Sequence, residues 1–240
     1  MSGRDLQELK TALGPEGENI RLLARIDSLD AVQNFAGIAK AADGIVIHRD
    51  LLAMELEAEK LMLAQKYMVQ QANLASIPVL LQSQVLESMV GTNAAARQET
   101  QDISTAVLEG ADAFILSDET SIGKSPVEST IQLAKAIVEA ENVYDHEQAF
   151  QEMRTISKEQ GAQSSTIDML CTTATQISLE DNNVEMFVVL TQTGKTARVL
   201  AKQRPLQMIL ACSTSPQVVR QVNTSRGVTG YKVPAHIKKH

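Results

Sequence analysis

The chain has no tryptophan, and aromatic residues make up only 3% of its 240 positions. Its core must therefore be aliphatic, built from Leu, Ile, Val, Ala and Met. Positive charge is also short: 22 Lys and Arg stand against 29 Asp and Glu, a net charge of −7. That balance argues against non-specific nucleic-acid binding and against an anionic membrane surface as partner. Only two cysteines occur, Cys171 and Cys212, without metal-ligand spacing. They read as buried free thiols, which suits a reducing, cytoplasmic compartment. No apolar run approaches the ~18 residues that a membrane span needs. The opening MSGRDLQELK is polar and charged, so no signal peptide is expected. The four histidines (His48, His146, His236, His240) are scattered, and no nucleophile–His constellation forms. His48 alone occupies a plausible site position, and a satisfied structural histidine is the favoured reading there.

What remains is ordinary soluble-protein material, 44% hydrophobic and 21% charged, enough for one large domain or two smaller ones. One unit recurs along the first two-thirds. Ile20–Ile26 has strand character, and Asp27-Ser28 starts a helix over 29–41. Gly44–Ile47 is a second strand, leaving through the polar turn His48-Arg49-Asp50 toward a long helix over 55–75. Pro78–Leu81 is a third strand, with a helix over Thr100–Glu109. Ala113–Leu116 is a fourth, leaving through Ser117–Thr120, and a helix follows over Pro126–Tyr144. Strand and helix alternate about every 35 residues, and the strands are apolar on both faces. This is the pattern of a parallel sheet covered by helices, as in a β/α barrel.

The polar run Asp145–Gln163 is the best domain boundary, dividing 1–145 from 146–240. Beyond it lie a helix around Thr166–Ser178, a turn at Asn182-Asn183, and a strand over Met186–Leu190. A helix over 197–203 and a strand over Met208–Cys212 complete a second βαβ unit. The basic tail His236–His240 reads as a solvated end. Four barrel strands leave two exposed sheet edges, and such edges invite pairing with other chains. Either a protein partner or a second copy covers them, or the sequence is a piece of a longer protein.

The strand exits supply the candidate site. Arg25 and Asp27 close the first strand, Arg49 and Asp50 the second, Ser83 and Gln84 the third, Ser117, Glu119 and Thr120 the fourth. Guanidinium, carboxylate and hydroxyl groups on one rim suit a small phosphorylated or carboxylated substrate with a divalent cation. Taken singly, each is better read as capping the helix that follows, with Asp27, Ser28 and Ser83 the good N-cap types. A second signal is Thr191-Gln192-Thr193-Gly194-Lys195-Thr196, where a strand delivers a hydroxyl-rich loop to a helix N-terminus. Backbone N–H groups and the helix dipole favour an anion there. It lacks the upstream glycine of a Walker A loop. A phosphate site and a plain strand–helix turn both fit it.

Several blocks, in order, resemble the pyruvate kinase family: ADGIVI (42–47), AEKLMLAQK (58–66), SQVLESM (83–89), AVLEGADAFILSDET (106–120) and LTQTGKTARVLAKQRP (190–205). The resemblance runs from Asp5 to about Tyr231. It implies an α/β fold: a partial TIM (β/α) barrel holding strands five to eight, followed by an incomplete α/β C-terminal domain. It also implies a family reaction, phosphate transfer from phosphoenolpyruvate to ADP in glycolysis with magnesium and potassium. The family residues that bind potassium, and most of its nucleotide site, lie in a front half with no counterpart here.

Residue by residue, the resemblance places the family's active lysine on Arg25, which keeps charge but not geometry. Its first metal-binding carboxylate falls on Asp27, a Glu in the family. The frame Arg-Gly-Asp-Leu-Gly becomes Arg49, Asp50, Leu51, Leu52 and Ala53, so the second metal carboxylate is Leu51. An apolar side chain cannot ligate magnesium. The threonine near the transferred proton is Ser83. Of Pro-Thr-Arg-Ala-Glu, only Arg97 and Glu99 persist. The resemblance thus casts Arg25 and Ser83 as catalytic, Arg49 and Asp50 as substrate-binding and Asp27 as metal-binding. Thr191, Thr193, Gly194, Lys195 and Thr196 match an effector loop that holds the phosphate of a sugar bisphosphate. The expectation is a catalytically impaired homologue acting as a structural or binding component. The alternative is a fragment or subunit of an active pyruvate kinase.

Overall fold

The computed structural model describes residues 2–17, 19–159, 165–181 and 183–234. The basic tail, and Asn182 of the expected turn, lie outside them. The chain divides into two units, Met1–Tyr144 and Asp145–His240. Among the described residues no helix is long and apolar enough to cross a membrane.

In the first unit, helix α1 (Gly3–Leu13) precedes strand β1 (Leu23–Ile26), helices α2 (Leu29–Gln33) and α3 (Phe35–Ala41), and β2 (Gly44–His48). Helices α4 (Arg49–Glu55) and α5 (Ala58–Leu74) lead to β3 (Val79–Gln82). Helices α6 (Ser88–Gly91) and α7 (Arg97–Glu109) lead to β4 (Ala113–Ile115), and α8 (Asp118–Ser121) and α9 (Pro126–Asn142) close the unit. The strands form one open parallel sheet in the order β1-β2-β3-β4. This is part of a β/α barrel, not a closed one.

Alternation along the strands sets what each face buries. Ala24, Ile26, Ile45, Ile47, Val79 and Leu81 pack with Phe35, Ile38, Met68 and Ala72 of the helices in one aliphatic core. Each of the larger of these side chains, fully buried, contributes about 1.5–3 kcal/mol, and the alanines less. The other face carries Leu23 and Arg25 in the open and Val46 and Leu80 nearly buried. The edge strands are thus less covered than the all-apolar pattern predicts.

Two local readings are corrected. The helix expected over 29–41 is broken at Asn34, which ends α2 and begins α3 with its side-chain amide donating to the Asp30 carbonyl at 2.9 Å. The polar turn expected at His48–Asp50 is instead the start of α4. His48 Nδ1 accepts the Leu51 N–H at 3.4 Å and so stands in for the usual hydroxyl or carboxylate cap.

The second unit holds α10 (His146–Glu159), α11 (Thr166–Glu180), β5 (Met186–Leu190), α12 (Lys195–Lys202), β6 (Met208–Ser213), α13 (Pro216–Val222) and β7 (Val228–Lys232). Its three strands are parallel, in the order β5-β6-β7. The polar run read as a boundary is mostly α10, anchored by the fully buried Phe150. Helix α13 and strand β7 extend the unit past the single βαβ expected. Gly230 is needed in β7 because a Cβ there would overlap the Val219 backbone. Both thiols are free and buried, and burial together with the Asp168 charge pushes Cys171 above the ordinary thiol range.

Two polar ties position the strand ends. At the bottom of the sheet, Asp43 accepts from the Leu22 N–H and the Arg21 guanidinium, both at 3.0 Å, and pairs with Lys10 at 3.3 Å. Burial raises its pKa, but those three donors outweigh burial and hold the carboxyl below the usual aspartate range. At the top, Arg49 is only 4% exposed. Its Nε donates to the Ser83 carbonyl at 3.1 Å, Nη2 to the Gln84 carbonyl and Nη1 to Asp102 on α7. Ser83 and Gln84 both have left-handed backbones, φ 66° and 53°. Such conformations cost on the order of 1 kcal/mol each for non-glycine residues. The guanidinium and Glu87, which accepts the Gln84 N–H at 3.1 Å, hold them there.

A folded pKa below the unfolded one contributes stability that is present above pH about 4 and lost as pH falls through the folded value. Asp43→Asn should therefore destabilise the chain at neutral pH and flatten the acid limb of its pH–stability curve. Equal acid limbs for variant and parent would remove Asp43 from this role. Arg49→Met keeps most of the stem but strands two carbonyls and a carboxylate. It should cost about 2–4 kcal/mol in urea unfolding. A change within about 0.5 kcal/mol, the range of an ordinary surface substitution, would mean the tie is not structural.

Candidate functional site

The four strand exits of the first unit do meet at one end of the sheet, as parallel strands require. What the side chains do there is mostly hold one another. Arg25 Nε and Nη2 bond Asp27 Oδ2 at 3.2 and 3.1 Å, so the candidate catalytic cation and the candidate metal carboxylate neutralise each other. Arg25 is 53% exposed, and an exposed pair of this kind contributes little to stability. Ser28 accepts the Ala31 N–H at 3.4 Å, the capping role its residue type suggested, and Glu55 accepts the Leu29 N–H at 2.6 Å.

Ser83 lies 6% exposed beside His48, its hydroxyl 3.4 Å from Nε2. His48 therefore joins Ser83 to the start of α4, the satisfied structural role favoured for it. Ser83 itself caps no helix. Arg49, a candidate substrate-binding group, has all three guanidinium nitrogens engaged in the tie described above. Asp50 lies in the first turn of α4, where a negative charge complements the helix dipole.

Glu119 is 1% exposed and accepts the Ser117 N–H at 2.7 Å and the Leu86 N–H at 3.2 Å. Glu99 accepts the Ser88 N–H and hydroxyl and the Ala96 N–H. Both carboxylates brace backbone rather than face the rim. Magnesium demands several oxygen ligands. Among the described residues, no three His, Cys, Asp or Glu side chains converge to hold a metal ion. With Asp27 paired to Arg25 and Leu51 apolar, the donors present do not fit that ion.

In the second unit the loop after β5 is organised around Thr191, whose hydroxyl oxygen accepts the Gly194 N–H at 2.9 Å. Gly194 is left-handed, φ 78°, and a Cβ there would press on Val222 at 2.7 Å. Lys195 opens α12 and is exposed, as are Gln192 and Thr193, while Thr196 is half-buried. The loop presents a helix N-terminus, one lysine and threonine hydroxyls on one surface, which suits an anion.

Sequence reasoning missed Asp102 and Glu87. Asp102 meets Arg49 across 53 residues, which no local pattern reveals. Glu87 sits three residues from Gln84, a spacing that a search for side chains bonding to strained turns could have caught.

Comparison with known proteins bears on this arrangement. The family model for the pyruvate kinase barrel domain matches residues 1–130, and that for the pyruvate kinase alpha/beta domain matches 168–239. A pyruvate kinase of Eimeria tenella is 37% identical over 238 residues, covering 97% of this chain and 43% of the relative. Human pyruvate kinase PKLR is 37% identical over 229 residues, covering 93% of this chain and 38% of the relative. The crystal structure of a pyruvate kinase from Cryptosporidium parvum is similar to 98% of this chain at a TM-score of 0.92 and 29% identity, over 49% of that chain. This chain spans less than half the length of these relatives. It belongs to the pyruvate kinase family.

Proposed function

We propose that the chain is a catalytically impaired member of its family, acting in the cytoplasm as a binding or structural component. A second copy or a homologous chain would cover the open edges of its four-stranded sheet. The observation that carries this reading is the strand-end chemistry. The Arg25–Asp27 pair and the locked Arg49 leave no set of oxygen donors and free positive charge to meet a phosphoryl group. Transfer of that group depends on such charge placed against its oxygens. Exposed Leu23 on edge strand β1 supports a protein partner there.

A second reading is favoured by identity of 37% to proteins named pyruvate kinase. In it the chain is part of a working enzyme that moves phosphate from phosphoenolpyruvate to ADP, with magnesium and potassium. In either reading the Thr191–Thr196 loop is a candidate holder of a phosphorylated small molecule.

Calorimetric titration of magnesium with phosphoenolpyruvate, with size-exclusion chromatography on the same sample, separates the two. The impaired component gives no saturable magnesium-dependent heat and elutes as an assembly. Leu51→Asp, which returns a hard oxygen ligand, should bring a magnesium-dependent heat back. Saturable binding by the unaltered chain would sink the impaired reading and put the enzyme in its place.

A further inference from the structure

The second unit carries another concentration of positive charge, away from the Thr191–Thr196 loop. The whole chain is acidic, yet residues 145–240 hold 11 Lys and Arg against 8 Asp and Glu. Three of those cations, Arg154 and Lys158 of α10 and Lys202 of α12, line a cleft of about 360 Å³ between α10, α11 and the end of α12. That volume is at the lower end for small-molecule sites and far above the roughly 30 Å³ share of one water. Lys202 lies near the last turn of α12, about 10 Å along the axis from Lys195 at its start.

The donors in this cleft are not used up. The Lys202 side chain is only 10% exposed, and its one partner among the described residues is Asp168 Oδ1 at 3.7 Å, beyond hydrogen-bond range. An ammonium with three N–H groups and a single long ion pair keeps donors available to an acceptor in the cleft. Asp168 is committed elsewhere, since its Oδ2 accepts from the Ser165 hydroxyl at 2.7 Å and from the Ser165 N–H at 3.3 Å. Arg154 stacks its guanidinium 5.5 Å above the Phe150 ring, and one nitrogen reaches Gln176 at 3.4 Å. Lys158 follows four residues later, on the same helix face as Arg154. The hydroxyls of Thr172 and Thr173 donate to carbonyls of their own helix, so N–H groups on cations dominate the remaining supply. Against three cations stands one carboxylate.

We infer that this cleft binds a small phosphate-bearing anion, with Lys202 at its floor and Arg154 and Lys158 at its mouth. Guanidinium and ammonium donors match phosphate oxygens, and Lys202 keeps donors available to them. The site is separate from the loop at the other end of α12 and does not depend on any surviving phosphoryl transfer.

The test is calorimetric titration of inorganic phosphate at constant ionic strength into the 240-residue chain. It is repeated on Arg154→Ala/Lys158→Ala, on Lys202→Met and on Lys195→Ala, with circular dichroism verifying each fold. The parent should bind phosphate saturably. The double variant, altered only on one helix surface, should bind about tenfold more weakly or worse. Lys202→Met should bind as weakly, while Lys195→Ala should keep the component of phosphate binding that both of those variants lose. Absence of saturable binding by the parent overturns the inference. So does binding that survives the double variant but is lost in Lys195→Ala, which would assign the phosphate to the loop instead.

Discussion

Arg49 is the constraint on which the upper end of the half barrel depends. Its guanidinium reaches a strand exit 34 and 35 residues away and a helix 53 residues away, so two successive β/α units are tied through one planar group. Without those donors, two consecutive left-handed residues after β3 would be held by Glu87 and the long Ser83–His48 contact. Lysine could not substitute, because a single ammonium cannot span two carbonyls and a carboxylate in a fixed plane. Asp43 performs the complementary task at the lower end, where one carboxylate fastens α1, the residues before β1 and the start of β2.

The fold was legible where periodicity is strong. β2 and β3 fall within a residue of the apolar runs that marked them, because parallel strands buried on both faces leave little ambiguity in sequence. The misreadings have particular causes. Helix α4 begins without a conventional cap, since a histidine ring accepts the N–H that a serine or aspartate would usually take. Helix α10 is polar along most of its length and buries chiefly Phe150, so composition disguised it as a linker. Strand β7 is short, with a glycine imposed by a helix passing close above it, and glycine lowers any strand reading.

The site was legible in position but not in role. A parallel sheet guarantees that its exits share one end, so Arg25, Asp27, Arg49, Asp50 and Ser83 could be grouped from sequence alone. Whether a charged side chain faces solvent or braces backbone is decided by partners far away in the chain. Arg25 and Arg49 carry the same group at the ends of adjacent strands; one is half in solvent with a neighbouring carboxylate, the other buried and fully engaged. No local pattern distinguishes them.

That contrast bears on why the family resemblance and the altered chemistry coexist. The residues Arg49, Glu99 and Glu119, which stay within the family's words at this end, all bond backbone groups in buried or half-buried surroundings. Losing any of them carries the cost of a stranded buried donor or acceptor, about 1–3 kcal/mol against a marginal total. At three positions that depart from the family's words, the Arg25 and Asp27 side chains bond each other and the Leu51 side chain has no polar group to bond. Changing them costs the fold little, as an exposed ion pair and a half-buried leucine on α4 illustrate. A chain can therefore keep this architecture while other side chains at the same strand ends change, because the framework is carried by the buried ties and not by the exposed pair.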